Sequence, residues 1–344
     1  MSKSSNSLSL KNSGQFSLTN QRRNVWLVSI FAILLALSGL LFSYLGTPIG
    51  LPLRPGLDFT GGTQIRLDRV CKKECEAINV SSITKSLLEF SFPRGENLAK
   101  RGLSEVKVQL LDQSQSLVVR LPFLSASEVE DVIEALDSIA GPFSENDKSV
   151  DTIGPILGGQ LLRSSLISLL VAFSGISLYI GLRYDKVYAL LALIAVGHDV
   201  LIVCGVFAWL GIFLSVEVDS LFAVSLLTIA GYSVNDTVVV FDRIREQVKE
   251  KRFSSLSQRI DYAVSATLTR TIYTSCTTLL PLLALIFFGG STLFWFSLSL
   301  ALGIVVGSWS SIALAPSLLS LREPVVNKVR LLNNDLDEGF EESD

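Results

Sequence analysis

The stretch that decides the fold is residues 187–213, which reads VYALLALIAVGHDVLIVCGVFAWLGIF. Among these 27 residues the only members of the His, Asp, Glu, Lys and Arg group are His198 and Asp199. A helix needs about 20 mostly apolar residues to cross roughly 30 Å of hydrocarbon. Five further runs of this kind cover residues 25–45, 164–182, 221–241, 271–288 and 293–319. The runs do not alternate as barrel strands would, so they predict a mainly α, polytopic membrane protein with a six-helix transmembrane bundle.

Composition supports a membrane protein and excludes several other classes. The chain has 344 residues, of which 49% are hydrophobic and 18% charged. Its formal net charge of -3 gives no global attraction to nucleic acid. One histidine and four scattered cysteines offer no zinc-type cluster, and no G-x-x-x-x-G-K-[ST] motif occurs. We therefore expect no metal, no nucleotide, no other cofactor and no enzymatic activity.

Lys and Arg in the short connections predict the orientation, because basic residues are held back on the cytoplasmic side. Residues 214–220 and 289–292 contain neither Lys nor Arg. The predicted cytoplasmic segments are the tail 1–24, the basic loop 242–270 and the acidic tail 320–344. Both termini are thus expected in the cytoplasm, and the insert 46–162 outside it.

The insert is the only part of the chain that can form a soluble domain. Its pattern predicts the order β-α-β-β-α-β, with strands near residues 63–70, 105–111, 115–122 and 149–153 and helices near 82–90 and 125–140. This order suits a ferredoxin-like α+β sandwich, in which helices cover one face of an antiparallel sheet.

Asp236 and Arg270 are the sharpest candidates for function. A bare charge at mid-bilayer costs at least about 2.5–3.5 kcal/mol. Thr228, Tyr232 and Asn235 lie on the same helical run as Asp236, and if the fourth and fifth helices are antiparallel neighbours, Asp236 can meet Arg270. Pairing would keep the carboxylate charged and its loss would favour protonation, as in a proton carrier. A static structural ion pair, or an Arg270 that only snorkels to the boundary, stays open.

Other polar and small residues carry weaker signals. Asp199 fits either a proton relay or a hydrogen bond between helices, and a satisfied buried pair is expected for His198. Glycines such as Gly205 and the Gly303-x-x-x-Gly307 pair are expected to allow close helix packing. Cys71 and Cys75 lie on the outside, where they either form a disulfide or remain free thiols.

Three motifs fall in the order found in one known family. Residues 56–63 read GLDFTGGT, residues 231–246 read GYSVNDTVVVFDRIRE, and residues 269–275 read TRTIYTS. Together with six spans around one outside insert, they resemble the SecF family of bacterial protein translocase subunits, which belongs to the resistance-nodulation-division (RND) superfamily. The resemblance runs from about residue 25 to residue 321.

The resemblance implies an RND-like half bundle that SecD completes to twelve spans. It implies association with the SecYEG channel, and thereby with the ATPase SecA, to drive late translocation of preproteins by the proton-motive force. Asp236 and Arg270 match the proton-pathway residues of the family, and Asp199 is a further candidate. The residues matching the outside motif are Gly56, Asp58, Gly61 and Gly62. The expected location is the bacterial inner (plasma) membrane, or the thylakoid in a photosynthetic host, in contact with lipid.

Two other functions stay open at this point. A stand-alone RND-type exporter of small molecules would form homo-oligomers instead of pairing with SecD. An intramembrane hydrolase would use Asp199 and Asp236 as two aspartates that share a proton. A third alternative is a structural subunit of an assembly, whose buried charges only stabilise the packing of its helices.

Overall fold

The computed structural model describes residues 17–46, 50–70, 78–92, 106–111, 115–144, 148–249 and 255–322. Its α-helices are α1 (Arg22–Gly46), α2 (Leu57–Thr60), α3 (Val80–Glu89), α4 (Ala126–Ala140), α5 (Pro155–Arg183), α6 (Lys186–Leu214), α7 (Ser220–Lys249), α8 (Leu256–Phe288), α9 (Gly290–Trp309) and α10 (Ala315–Leu319). Its strands are β1 (Gly62–Asp68), β2 (Lys107–Leu111), β3 (Ser116–Leu121) and β4 (Ser149–Ile153).

The chain divides into two compact units. The helical unit consists of residues 1–54, 169–216 and 221–344, and the α/β unit consists of residues 55–168 and 217–220. The four residues 217–220, which connect α6 to α7, therefore belong to the α/β unit. The tails predicted at residues 1–24 and 320–344 lie largely outside the described residues.

Within the described ranges, six helices are long and apolar enough to cross a membrane by length and composition. They contain the six apolar runs but extend beyond them, and α7 and α8 occupy most of the segment 242–270 that the sequence predicts as a loop. The start of α8 is amphipathic, since it buries Ile260, Ala263 and Val264 while its neighbours are less buried. Hydropathy marks only the part of a helix that is apolar all round, so it misses such polar extensions.

Small residues let α1 and α6 approach closely, as the sequence predicts for Gly205. A Cβ atom on Gly205 would lie 2.3 Å from both Cα and Cβ of Ala36, and one on Gly39 would lie 2.7 Å from the Trp209 ring. Gly303 plays the same part between α9 and α7, where its Cβ would lie 2.3 Å from Ile229. At Gly205 the backbones of α1 and α6 therefore approach directly, whereas Gly39 and Gly303 leave room for the side chains of Trp209 and Ile229.

The last span changes its winding before it ends. Residues Ser310–Leu314 form a π-helical turn between α9 and α10. Pro316 follows this turn, and a proline removes one backbone donor and clashes with the carbonyl four residues earlier. A local π turn accommodates such a break in the ladder. Beyond it, the Oγ of Ser317 accepts a hydrogen bond of 3.0 Å from Nε1 of Trp26 in α1.

The α/β unit contains a four-stranded sheet in the order β2-β3-β1-β4 with antiparallel neighbours. The described elements follow the predicted order β-α-β-β-α-β, while the ferredoxin-like classification stays a prediction. Ile65 lies opposite Val119 on one side and Val150 on the other. Side chains of α3 and α4, including Ile83 and Leu136, join those of β1 and β3 in one core. The sheet thereby buries one face against both helices.

Candidate functional site

Asp236 lies in the middle of α7 and is buried, with 6% of its surface exposed. Its Oδ2 atom has no hydrogen-bond partner among the described residues. A buried acceptor left without a hydrogen bond costs about 1–3 kcal/mol, and more when it is charged. The carboxylate thus has an unfilled position for a proton, a cation or a donor from another chain.

Arg270 lies on α8, close enough to Asp236 to interact with it electrostatically. Its side chain is exposed, and the two residues form no ion pair in the described part of the chain. The ion pair that the sequence allows is not formed between these described residues, and the alternative of a snorkelling Arg270 stays open. The inner stripe of α8 runs through Thr267, Thr271 and Ser275, and position 270 lies about 100° away from position 271 around the helix.

Asp199 on α6 has no exposed surface and, unlike Asp236, is fully hydrogen-bonded. Its Oδ2 accepts hydrogen bonds from Ser233 Oγ at 2.6 Å and from Ser310 Oγ at 2.7 Å. Its Oδ1 lies 2.9 Å from Nδ1 of His198. The three contacts join α6, α7 and the π turn of the last span. The contacts with Ser233 and Ser310 are hydrogen bonds between helices, and the proton-relay alternative for Asp199 stays a prediction.

His198 forms the expected buried contact with Asp199, but only one of its ring nitrogens is used. Its Nε2 atom is buried and has no hydrogen-bond partner among the described residues. Because a neutral imidazole is a donor at one nitrogen and an acceptor at the other, this ring has one polar atom to spare.

Serines complete the polar contacts between helices, and the sequence analysis missed them. Tyr232 Oη lies 3.1 Å from Ser275 Oγ, which in turn lies 2.6 Å from Ser308 Oγ. Single serines in apolar runs are common, so spacing alone does not single these out. The threonines of α8 do not contribute, because the hydroxyls of residues 274, 277 and 278 bond to carbonyls of their own helix.

The motif at residues 56–63 contains α2 and the turn that leads into β1, the first strand of the sheet. A tight turn is present at Gly61 and Gly62, which have φ angles of 71° and 122°. Side chains at these positions would also collide, since a Cβ on Gly62 would lie 2.7 Å from the Leu121 carbonyl oxygen. Asp58 lies in α2 just before this turn, and Gly56 immediately precedes the helix.

The two cysteines that the structure describes add no site. Cys71 and Cys75, the candidate disulfide, lie outside the described residues. Cys204 in α6 and Cys276 in α8 are free thiols.

Six membrane-length helices that bury two aspartates in different environments define a polytopic membrane protein with a candidate ion-binding carboxylate. The sequence profile described as "Protein export membrane protein SecD/SecF, C-terminal" matches residues 132–323, and the "SecD/SecF GG Motif" profile matches residues 49–68. The chain belongs to the SecD/SecF family of protein-export membrane proteins.

Relatives and solved structures agree with this assignment. The protein translocase subunit SecF of Prochlorococcus marinus is 57% identical over 308 residues, covering 90% of this chain and 95% of the relative. The SecF subunit of Synechocystis sp. is 39% identical over 293 residues, covering 85% and 90%. The crystal structure of SecDF from Thermus thermophilus, described as translocon-associated, superposes with a TM-score of 0.71 at 31% identity, covering 89% of this chain and 38% of that one.

Proposed function

We propose that this chain works with SecD to drive late translocation of preproteins with the proton-motive force. The observation that carries the proposal is the carboxylate of Asp236, which is buried in the middle of a membrane-length helix with one oxygen unpartnered. A charge moved across the membrane potential yields about 2.3 kcal/mol per 100 mV. A carboxylate that alternately binds and releases a proton can draw on this energy.

Protonation of Asp236 changes which contacts its helix prefers. The ionised carboxylate favours a nearby cation, and the neutral acid favours an apolar or hydrogen-bonding environment. Arg270 is the cation within electrostatic range, and its exposed side chain is free of an ion pair with Asp236 in the described residues. We therefore assign Asp236 as the proton carrier and Arg270 as the group that approaches its charged form. Asp199, with both oxygens engaged, is assigned to holding helices together.

An exposed polar stripe on α7 supports pairing with SecD. The polar side chains of Thr228 and Asn235 are exposed on either side of the exposed Gly231, with Val224 one turn before them, although most of the flanking residues on α7 are buried. Polar positions in a membrane-length helix are normally turned toward protein rather than lipid. The Thermus thermophilus SecDF protein contains a large part that has no counterpart in this chain. We propose that the corresponding part, SecD, covers the stripe and supplies the remaining groups of the pathway.

The other proposed partners follow from the family resemblance. They are the SecYEG channel, the ATPase SecA acting through it, the translocating preprotein and membrane lipid. The proposed location is the bacterial inner membrane, or the thylakoid of a photosynthetic host, with both termini in the cytoplasm.

The alternatives lack a supporting contact. A hydrolase would need Asp199 and Asp236 to share a proton, yet the Asp199 oxygens bond to serine hydroxyls and His198 instead. We therefore propose no enzymatic activity. In a stand-alone exporter, a second copy of the chain would have to cover the polar stripe of α7. Measuring the mass of the complex purified in detergent distinguishes a homo-oligomer from a complex with SecD.

The test is export into membrane vesicles that contain SecYEG, SecA and SecD together with this chain. A proton gradient is imposed or collapsed, and protease-protected preprotein is measured; a sodium gradient in a parallel arm identifies the ion. Asp236→Asn is expected to lose the gradient-dependent increase and to keep the ATP-driven part. Asp261→Asn is the matched control, because Asp261 binds Ser17 and Thr19 near the start of α8. An unchanged gradient-dependent increase in Asp236→Asn would remove the proposal.

A further inference from the structure

Asp58 caps the N-terminus of α7 from a distant part of the chain. Its Oδ2 atom accepts a hydrogen bond of 3.0 Å from the backbone N–H of Ser220 and a second from the Ser220 hydroxyl. The first N–H groups of a helix have no acceptor within it, and a carboxylate there also interacts favourably with the helix dipole. Caps normally come from a residue next to the helix. This one comes from the motif at residues 56–63.

The residue two positions before α7 is held by the same motif. The backbone N–H of Gly56 donates a hydrogen bond of 2.7 Å to the carbonyl oxygen of Val218, and Pro55 pairs with Val218 in a parallel bridge. A Cβ on Gly56 would lie 2.9 Å from that oxygen, so glycine permits the approach.

Glu217 is fixed by two strands of the sheet. Its Oε1 lies 2.6 Å from Nζ of Lys107 on β2, and its Oε2 forms an ion pair with Nη1 of Arg120 on β3. The other Arg120 nitrogen, Nη2, donates a hydrogen bond of 2.9 Å to Oγ1 of Thr60. The Arg120 side chain is only 11% exposed. Partly buried pairs of this kind are screened less by salt than surface pairs.

We propose that Asp58, Arg120 and Glu217 form a clamp through which the α/β unit holds the start of α7. The segment from Glu217 to Ser220 is then fixed to the α/β unit and cannot move independently of it. From Ser220 onward α7 is one uninterrupted helix, and Asp236 lies 16 residues along it, about 24 Å at 1.5 Å per residue. A displacement of the α/β unit therefore reaches the helix that carries Asp236. Asp58 is thus a positioning residue for the export reaction, and its effect on export rests on the proposed function.

The clamp itself can be measured without transport. The full chain is purified in complex with SecD, and hydrogen exchange is followed at the amides of residues 218–222. Asp58→Ala is expected to speed exchange there by about 3- to 10-fold, because a lost cap opens the first turn. Asp58→Asn, whose amide oxygen can still accept from Ser220, is expected to stay close to the native rate. The matched control is Asp68→Ala, which removes a hydrogen bond with Ser116 in the same unit without touching the segment.

The coupling is measured in the vesicle export assay. Asp58→Ala is expected to lose most of the gradient-dependent increase, while Asp58→Asn and Asp68→Ala retain it. A double variant, Asp58→Cys with Ser220→Cys, adds a reversible test. With free thiols it is expected to behave like Asp58→Ala, and joining the thiols with a short bifunctional reagent is expected to restore the increase.

Each outcome bears on the clamp. Native exchange rates in Asp58→Ala, native export by that variant, or failure of the joined thiols to restore export would overturn the proposal. If Asp58→Ala does not assemble with SecD, hydrogen exchange at residues 218–222 is compared between Asp58→Ala and Asp58→Asn in the full chain purified without SecD, and equal rates in the two variants would overturn the clamp. If the native chain shows no gradient-dependent export, the proposed function fails while the exchange result still reports on the clamp.

Discussion

The carboxylate of Asp199 accepts a hydrogen bond of 2.7 Å from the hydroxyl of Ser310, a residue 111 positions further along the chain. The same oxygen accepts another from Ser233. Asp236, three residues after Ser233, keeps one buried oxygen without a partner. The two buried carboxylates therefore differ in their hydrogen bonding, and on this difference rests our proposal that Asp199 holds helices in place and Asp236 exchanges a proton.

Replacing Asp199 by asparagine is expected to leave gradient-dependent export close to the native level. The amide oxygen can accept from both serines and the amide nitrogen can donate to His198, so the contacts between helices survive. Asp199→Leu is expected to destabilise the protein by about 1–3 kcal/mol, because the Ser233 hydroxyl and His198 lose their partner and Ser310 keeps only its hydrogen bond to the Gly307 carbonyl. Export assays and thermal unfolding in detergent check the pair. Loss of gradient dependence in a stably folded Asp199→Asn would make Asp199 part of the proton pathway.

The serine hydroxyls on Asp199 are expected to act together. Ser233→Ala and Ser310→Ala should each cost about 1 kcal/mol of unfolding free energy, and more when combined, because the second removal leaves Oδ2 of Asp199 unsatisfied. The control is Ser297→Ala on α9. Ser297 is fully buried, but its Oγ has no hydrogen-bond partner among the described residues. That variant should be neutral or slightly stabilising, and equal losses in all three single variants would contradict the network.

A methyl group on Gly205 is expected to separate α1 from α6. Its Cβ would lie 2.3 Å from Ala36, and overpacking of this kind costs about 1–3 kcal/mol. Gly197→Ala on the same helix is the control, because no described atom lies within 4 Å of the Cβ that it adds. Melting temperatures of the two variants in complex with SecD make the comparison. Similar melting temperatures for both would show that the helices can move apart at little cost.

Tyr184, between α5 and α6, is expected to ionise at a higher pH than an ordinary tyrosine. Burial, and then the hydrogen bond of 3.1 Å that its hydroxyl donates to Asp242, raise the pKa of Tyr184 to about 12. An unfolded tyrosine ionises near pH 10, so this contact contributes its full stability below about pH 10 and loses it as the pH rises toward 12. A spectrophotometric titration of the folded protein should show a late-ionising tyrosine that Tyr184→Phe lacks. A titration identical to that of the native protein would contradict the assignment.

Much of the fold could be predicted from the sequence because its signals are local. The apolar runs predicted the six long helices, and the pattern of the insert predicted the strands to within two residues of their observed ends. The polar beginning of α8 was missed because its buried stripe, with Ile260 and Val264, is narrow. The burial of Asp236 followed from its position in an apolar run.

The contacts of the site could not be predicted, because they depend on helix rotation. Position 270 faces outward because Thr271 lies on the buried face of α8. The spacing of residues in the sequence does not reveal which face of this helix is buried. The bonds from Ser310 to Asp199 and from Ser220 to Asp58 join residues more than a hundred positions apart. No local pattern contains such pairs.

Each residue inserted into an α-helix rotates all the residues that follow by about 100° around the helix axis. The π-helical turn of 5 residues at Ser310–Leu314 therefore changes the direction in which the last helical residues face. Ser317, whose hydroxyl accepts the hydrogen bond from Trp26, lies just beyond this turn. If the turn relaxed to regular winding, the Ser317 hydroxyl would rotate about the helix axis and this hydrogen bond between the first and sixth spans would be lost. A short irregularity in the sixth span thus sets the direction in which its last turn faces the first span.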